Sequence, residues 1–375
     1  MNDHRRINTN INTVLILILA IEVLLNSSFG LNISSNVNVF IVTTILYILY
    51  VVYCFFYSIK TNDIFYIVFL GCLVLIFRNS SIIFLSGLAL ISSRLRINDF
   101  VFIYKYAIGI GLTMTTCLSL LGKLPMRNYI DGVISVGFVN ENTLGFYLSF
   151  FAILTTLKII DGYITYNFTF INILILTLAI LFDLFVINYN TAIIMISVYL
   201  LFCFFSKFLD KVRHFLSVIF FLLPPFLMYL SYWCALNFEK YGFLQKANEI
   251  LTNRFLMWHY YVVNFQWGFR GSSWQISKGI WQGSLDGAYF SELLFFGLLA
   301  IILTLGLSII NIRLIQSKNW ILLSLVVILE LCGFAENILF NYNDSFGVIF
   351  ALLGFYPGKI DGISNIKLPH PRNEK

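Results

Sequence analysis

The chain has 375 residues, 59% of them hydrophobic and 11% charged, against roughly 45–50% and about 25% in soluble domains. That balance excludes a water-exposed globular fold, which needs more polar surface to cover itself. The net charge of +6 comes from cations standing singly or in pairs between apolar runs, a pattern of membrane topology and not of nucleic-acid binding.

The first stretch, 1–25, runs basic then apolar, like a secretory signal. It has no small-residue cleavage site and many apolar runs follow, so it reads as an uncleaved first span. A helix needs about 20 mostly apolar residues to cross a bilayer, or about 17 at the short end. Such runs lie near 13–30, 37–57, 63–77, 79–92, 100–121, 141–158, 168–186, 189–206, 214–234, 287–310, 319–337 and 343–357, about twelve in all. The third and fourth are short and flank Arg78-Asn79-Ser80. Read as one kinked span, they lower the count and reverse everything after them.

With twelve spans and both termini inside, the cytoplasmic segments hold Arg5, Arg6, Lys60, Arg94, Arg96, Lys158, Lys207, Lys211, Arg213, Arg313, Lys318 and the C-terminal cations. The short outer loops hold little beyond Arg78, Lys123 and Arg127, which is a positive-inside pattern. Two segments, about 122–140 and 235–286, then lie outside, the second as a long extracytoplasmic loop between spans nine and ten. No soluble domain or internal repeat is evident. The expected fold is an all-α integral membrane protein, one polytopic domain over 1–375. Cys54, Cys72, Cys117, Cys203, Cys234 and Cys332 form no CxxC pair, and the four histidines form no HExxH. Neither a metal site nor a disulfide framework is expected.

The polar residues that stand out collect at the outer ends of spans. In the long loop, Arg254, Trp258, Tyr261 and Phe265 recur on one face of a helix predicted over 248–265. Two readings fit this face. It can lie among lipid headgroups, where aromatic residues are favoured. Alternatively, Arg254 and Arg270 grip a phosphate through paired guanidinium hydrogen bonds while the aromatic rings stack on sugars. His259, in the same stretch, reads as an interfacial bystander. Arg127 stands in the first outer loop. Asn140 or Asn142 caps the following helix, with Glu141 complementing its dipole. Asp286 starts the tenth span as an N-cap or as a functional acid, with Tyr289 and Glu292 following on one face. Glu292 lies inside an apolar helix, where an ionisable group usually lines a cavity or pathway. Glu330 and Glu336 sit in the eleventh span, Glu336 near its outer end with Asn341 beyond it. A buried acid paired to a neighbouring arginine is a common structural use; Glu22 and Asp183 read this way, and Glu336 reads equally as such an acid or as a functional one.

In chain order these pieces resemble the Wzy-type polysaccharide repeat-unit polymerases of the O-antigen polymerase and ligase superfamily. The resemblance rests on Arg127, Gly137 and Asn142; on Arg254 and Trp258; on Asp286, Tyr289, Leu293, Leu294, Gly297 and Leu298; and on Glu336 with Asn341. It runs from about residue 60 to the C-terminus. One departure is Tyr189-Asn190-Thr191, where the family often has Ser-Arg-Thr.

The resemblance implies a GT-C-like bundle in the cytoplasmic membrane of a bacterium. It implies a glycosyltransferase that joins undecaprenyl-diphosphate-linked oligosaccharides, one as donor and one as acceptor, at the outer face. The product is a capsule, exopolysaccharide or O-antigen. Membrane lipid, a flippase and a chain-length regulator are the expected partners, with no cofactor, no metal and no nucleic acid. Arg127 and Arg254 are the implied catalytic cations, and Glu336 or Asp286 the base. Asn142, Trp258, Arg270, Tyr289 and Asn341 are the implied substrate-binding residues. An O-antigen-type ligase shares this chemistry but usually carries a conspicuous loop histidine. A lipid-linked oligosaccharide flippase is the rival from another class, and transporters tend to show two related halves.

Overall fold

The computed structural model describes residues 97–127, 132–160, 163–187, 189–251, 253–264 and 285–339, with isolated helical residues between 16 and 24 and at 64, 68 and 72. The apolar runs near 37–57, 79–92 and 343–357, with Glu22, Arg270 and Asn341, lie outside them.

The described chain is mostly helical. Helix α1 is Ile97–Leu120 and α2 is Glu141–Thr155. Strands β1, Leu157–Ile160, and β2, Tyr163–Tyr166, follow. Then come α3, Phe170–Phe185; α4, Thr191–Lys211; and α5, Arg213–Asn237. Helices α6, Gly242–Ile250, and α7, Arg254–Asn264, occupy the first part of the long loop. Helices α8, Ala288–Phe296; α9, Leu298–Gln316; and α10, Trp320–Ala335, complete the described chain. Stretches of α1, α5 and α9 (Val101–Leu120, Arg213–Asn237 and Leu298–Gln316) are long and apolar enough to cross a membrane. Phe170–Phe185, Thr191–Ser206 and Trp320–Ala335 are apolar but shorter.

Three expectations change. First, the fold is not all-α: β1 and β2 pair antiparallel with Leu157 opposite Tyr166 and Ile160 opposite Tyr163. Their β-branched and aromatic residues suit strands. Second, the tenth span is two helices, broken at Gly297, whose φ of 53° and ψ of −122° suit only glycine. Third, the helix expected over 248–265 starts at Arg254. Asn253 holds a φ of 65°, which asparagine tolerates better than most residues. The Asn248 side chain donates to Asn253 Oδ1 at 3.0 Å and accepts from Leu256 N at 3.0 Å, giving α7 a cap in place of a helical run-in.

Helix α10 is apolar all round and its residues 322–330 are all buried, so it forms the centre of the body. It packs on α4, while α5 packs along α9 and on α7. The outer surface is apolar too. Phe170 and Phe185 are each 80% exposed and Phe204 is 76% exposed. Such a surface suits lipid.

Some buried polar groups inside this body have partners with local causes. Pro224 has no N–H, so the Phe220 carbonyl one turn earlier loses its helical partner. Asn311 Nδ2 of α9 takes that carbonyl at 2.9 Å and also reaches Glu330 Oε1 at 2.8 Å. Ser149 donates to Asp183 between α2 and α3. These contacts give Glu330 and Asp183 structural partners.

The two ends of the body differ. Lys211, Arg213, Arg313 and Lys318 fall at the α4–α5 and α9–α10 turns. Trp320 Nε1 ties those turns together by donating to Asp210 Oδ1 at 2.8 Å. The start of α7, the start of α8 and the end of α10 meet at the opposite end.

Candidate functional site

Arg254 is the first residue of α7 and is only 7% exposed. Its Nη2 donates to Glu336 Oε1 at 2.7 Å, and lies 3.6 Å from Asp286 Oδ2. Its Nη1 donates to the Leu251 carbonyl at 3.2 Å. Glu336 stands just past the end of α10 in an extended conformation. The Glu336 side chain is 12% exposed and that of Asp286 is 31% exposed. Glu336 is therefore the more covered carboxylate and Asp286 the more exposed one. Ordinary surface ion pairs contribute little, but removing one member of a buried pair strands the other charge.

Trp258 lies one turn after Arg254 and is fully buried. Its indole N–H donates to the Asp286 carbonyl at 2.6 Å. Its ring stacks on Phe290 at 5.4 Å between centroids and meets Phe334 edge-on at 5.6 Å. The indole passes over Gly287, which has a φ of +95°. Gly287 itself is the N-cap of α8, and its position corrects the reading of Asp286 as that cap.

Two loops carry the carboxylates and are stitched together. Ala288 N donates to the Glu336 carbonyl at 3.0 Å. Asn337 Nδ2 donates to the Leu285 carbonyl, and Asn337 Oδ1 accepts from the Ser291 hydroxyl at 2.9 Å. Asn337, Ser291 and Gly287 were not singled out from the sequence. The available signal was only a polar residue directly after Glu336. Asn337→Ala is expected to loosen the Asp286 loop and cost about 1–3 kcal/mol, read as a lower unfolding temperature in detergent. An unchanged unfolding temperature sinks this role for Asn337.

The other expected site residues are placed as follows. Tyr289 is fully buried in α8 and packs in the main hydrophobic core, not among the residues around Trp258. Arg127 is exposed, donates to the Gly132 carbonyl at 3.2 Å, and bridges Ile134 through its backbone. Among the described residues no contact joins it to Arg254. Asn142 is half-buried in the first turn of α2. The cap is Asn140, whose Oδ1 accepts from the backbone and hydroxyl of Thr143, both at 2.8 Å. Glu141, beside it, was expected only to complement the helix dipole. It is half-buried in the first turn of α2.

The face bearing Arg254, Trp258 and Tyr261 packs into protein, which overturns the headgroup reading of that helix. His259 braces α7: its Nδ1 lies 2.8 Å from the Ala235 carbonyl and its Nε2 3.3 Å from Glu239. Among the described residues no group of three or more His, Cys, Asp or Glu side chains is arranged to hold a metal ion.

Comparison of the chain with protein-family models, with curated proteins and with solved structures finds no match.

Proposed function

We propose that this chain is a glycosyltransferase that joins lipid-diphosphate-linked oligosaccharide repeat units into a surface polysaccharide. One observation carries the reading. Arg254 with Trp258, Asp286 and Glu336, from three separate segments and each part of the resemblance to repeat-unit polymerases, meet in one cluster at the end of the body away from the basic turns. By the positive-inside rule that end faces outward.

In this reading an acceptor sugar hydroxyl attacks the anomeric carbon of the donor. The new C–O bond forms as the bond from that carbon to the phosphate oxygen breaks, and the lipid diphosphate leaves with the electron pair. Asp286, the more open carboxylate, accepts the hydroxyl proton. Arg254 Nη2, which holds Glu336 and lies 3.6 Å from Asp286, turns its second proton to the diphosphate oxygen that gains charge. Glu336 fixes the guanidinium, and Trp258 fixes the Asp286 backbone. The lipid is undecaprenyl diphosphate, the membrane is the bacterial cytoplasmic membrane, and a flippase supplies the substrate at its outer face.

The test is reconstitution of the protein in vesicles with a lipid-linked repeat unit, with products separated on a gel. A ladder of repeat-unit multiples is expected, with Asp286→Asn slower by about 10²–10⁴-fold, the range of a lost general base. A parent protein that moves the intact substrate across the bilayer and makes no ladder is a transporter, and the proposal fails. Transfer of a finished chain to a different acceptor makes it a ligase instead.

A further inference from the structure

We propose that a pocket between α1 and β1 binds the phosphodiester headgroup of an anionic membrane lipid. The pocket is a cavity of about 200 Å³ lined by Val101, Phe102, Lys105, Tyr106, Leu157 and Lys158. It lies at the far end of α2 from Glu141, so the length of that helix separates it from the Arg254 cluster.

Lys105 is half-buried and sits four residues inside the apolar stretch that begins at Val101, about 6 Å at a rise of about 1.5 Å per residue. A charged, half-buried group inside an apolar stretch is costly unless something answers it. Its ammonium makes one long hydrogen bond, 3.4 Å, to the Leu157 carbonyl. An ammonium has three protons to donate, and this side chain lines the cavity. Lys158 follows that carbonyl in sequence and lines the same space. Neither lysine has a carboxylate partner among the described residues. Two like charges on one small cavity repel each other, and an anion between them turns that repulsion into two charge-assisted contacts.

The remaining lining identifies the anion's class. Phe102 and Tyr106 lie one turn apart, with ring centroids 4.4 Å apart, and are 42% and 46% exposed. They form an apolar wall at the pocket's mouth, and Val101 and Leu157 are buried apolar groups behind it. A free phosphate gains nothing from that wall. A lipid lays acyl chain against it while its phosphate stays with the lysines. Basic pockets between membrane helices take anionic headgroups in this way.

The test titrates phosphatidylglycerol onto the full chain, purified in a neutral detergent, by native mass spectrometry. Phosphatidylcholine and inorganic phosphate are run beside it. Lys105→Met with Lys158→Met keeps the apolar stems and removes both charges. The first bound phosphatidylglycerol is expected to weaken about tenfold or more, with phosphatidylcholine retention and the unfolding temperature unchanged. Lys105→Arg is expected to hold the lipid. Lys211→Met with Lys318→Met, at the basic turns, is expected to leave the first lipid in place. Equal phosphatidylglycerol binding by the double lysine variant overturns the site. So does an equal loss in the basic-turn control, which reduces the effect to net charge. Displacement of phosphatidylglycerol by inorganic phosphate also overturns it, and gives the pocket to a soluble anion. If the double variant unfolds, Lys158→Met alone decides, because Lys158 is exposed and can be removed without a cavity. None of these readouts depends on polymer synthesis, so this proposal and the polymerase reading fail separately.

Discussion

Arg254→Ala is expected to abolish polymer and to destabilise the fold by about 3–5 kcal/mol, the cost of breaking a buried ion pair from one side. The guanidinium is the cation described between Glu336 and Asp286, 2.7 and 3.6 Å away. Without it, the Glu336 and Asp286 carboxylates lose the cation that both approach. The alanine also removes the hydrogen bond to the Leu251 carbonyl, which helps seat the start of α7.

Loss of polymer alone cannot separate a folding role from a chemical one, so two further variants divide them. Arg254→Lys keeps one positive charge but not the planar fork that engages two partners. It is expected to recover much of the thermal stability and little of the ladder. Arg254→Met with Glu336→Leu removes both charges and fills the space with apolar groups, a replacement that is often neutral for stability. That double variant is expected to unfold near the parent temperature and to make no polymer. A double variant that is stable and fully active removes the ion pair from the chemistry and leaves Asp286 to be explained alone.

Composition and period made much of the architecture legible. The runs near 100–121, 168–186, 189–206, 214–234 and 319–337 match α1, α3, α4, α5 and α10 to within a few residues, because length and apolarity are what such helices require. The break at Gly297 was not legible, since Leu293 to Leu298 is unbroken in hydropathy and only the backbone angles record the interruption. The hairpin at 157–166 was masked by its position between two long apolar runs.

Periodicity in α7 correctly showed that one face is buried, but period alone does not say whether lipid or protein covers it. The same limit applies to the site. Arg254, Trp258, Asp286 and Glu336 could be singled out one by one as polar or aromatic residues at the ends of spans. The ion pair joins positions 254 and 336, and no local pattern couples residues so distant. Asn337 was invisible for a related reason: its importance lies in holding the Leu285 carbonyl across a gap that exists only in the fold.

Gly287→Ala is expected to be the most damaging single methyl group in this region. The residue has a φ of +95°, where side chains carrying a Cβ are strained by about 1–2 kcal/mol or more. A Cβ there would lie 2.4 Å from Cζ2 of Trp258, with Cε2 at 2.9 Å. Trp258 cannot swing aside freely, because Phe290 stacks on one face and its indole N–H is fixed to the Asp286 carbonyl. Overpacking of this kind costs about 1–3 kcal/mol, so the total is about 2–5 kcal/mol.

The functional effect follows from the same contact. Displacing the indole releases the Asp286 carbonyl, and with it the carboxylate that lies beside Arg254. The Gly287→Ala protein is therefore expected to lose polymerising activity even at temperatures where it remains folded. Adding Trp258→Phe shrinks the obstructing ring and is expected to restore part of the thermal stability. It does not restore activity, because phenylalanine has no donor for the Asp286 carbonyl. Gly242→Ala is the control: it opens α6, has nothing within 4 Å of the added Cβ, and is expected to stay within about 0.5 kcal/mol of the parent. If Gly287→Ala unfolds at the parent temperature, Trp258 does not sit over this glycine, and the link from the indole to Asp286 is broken with it.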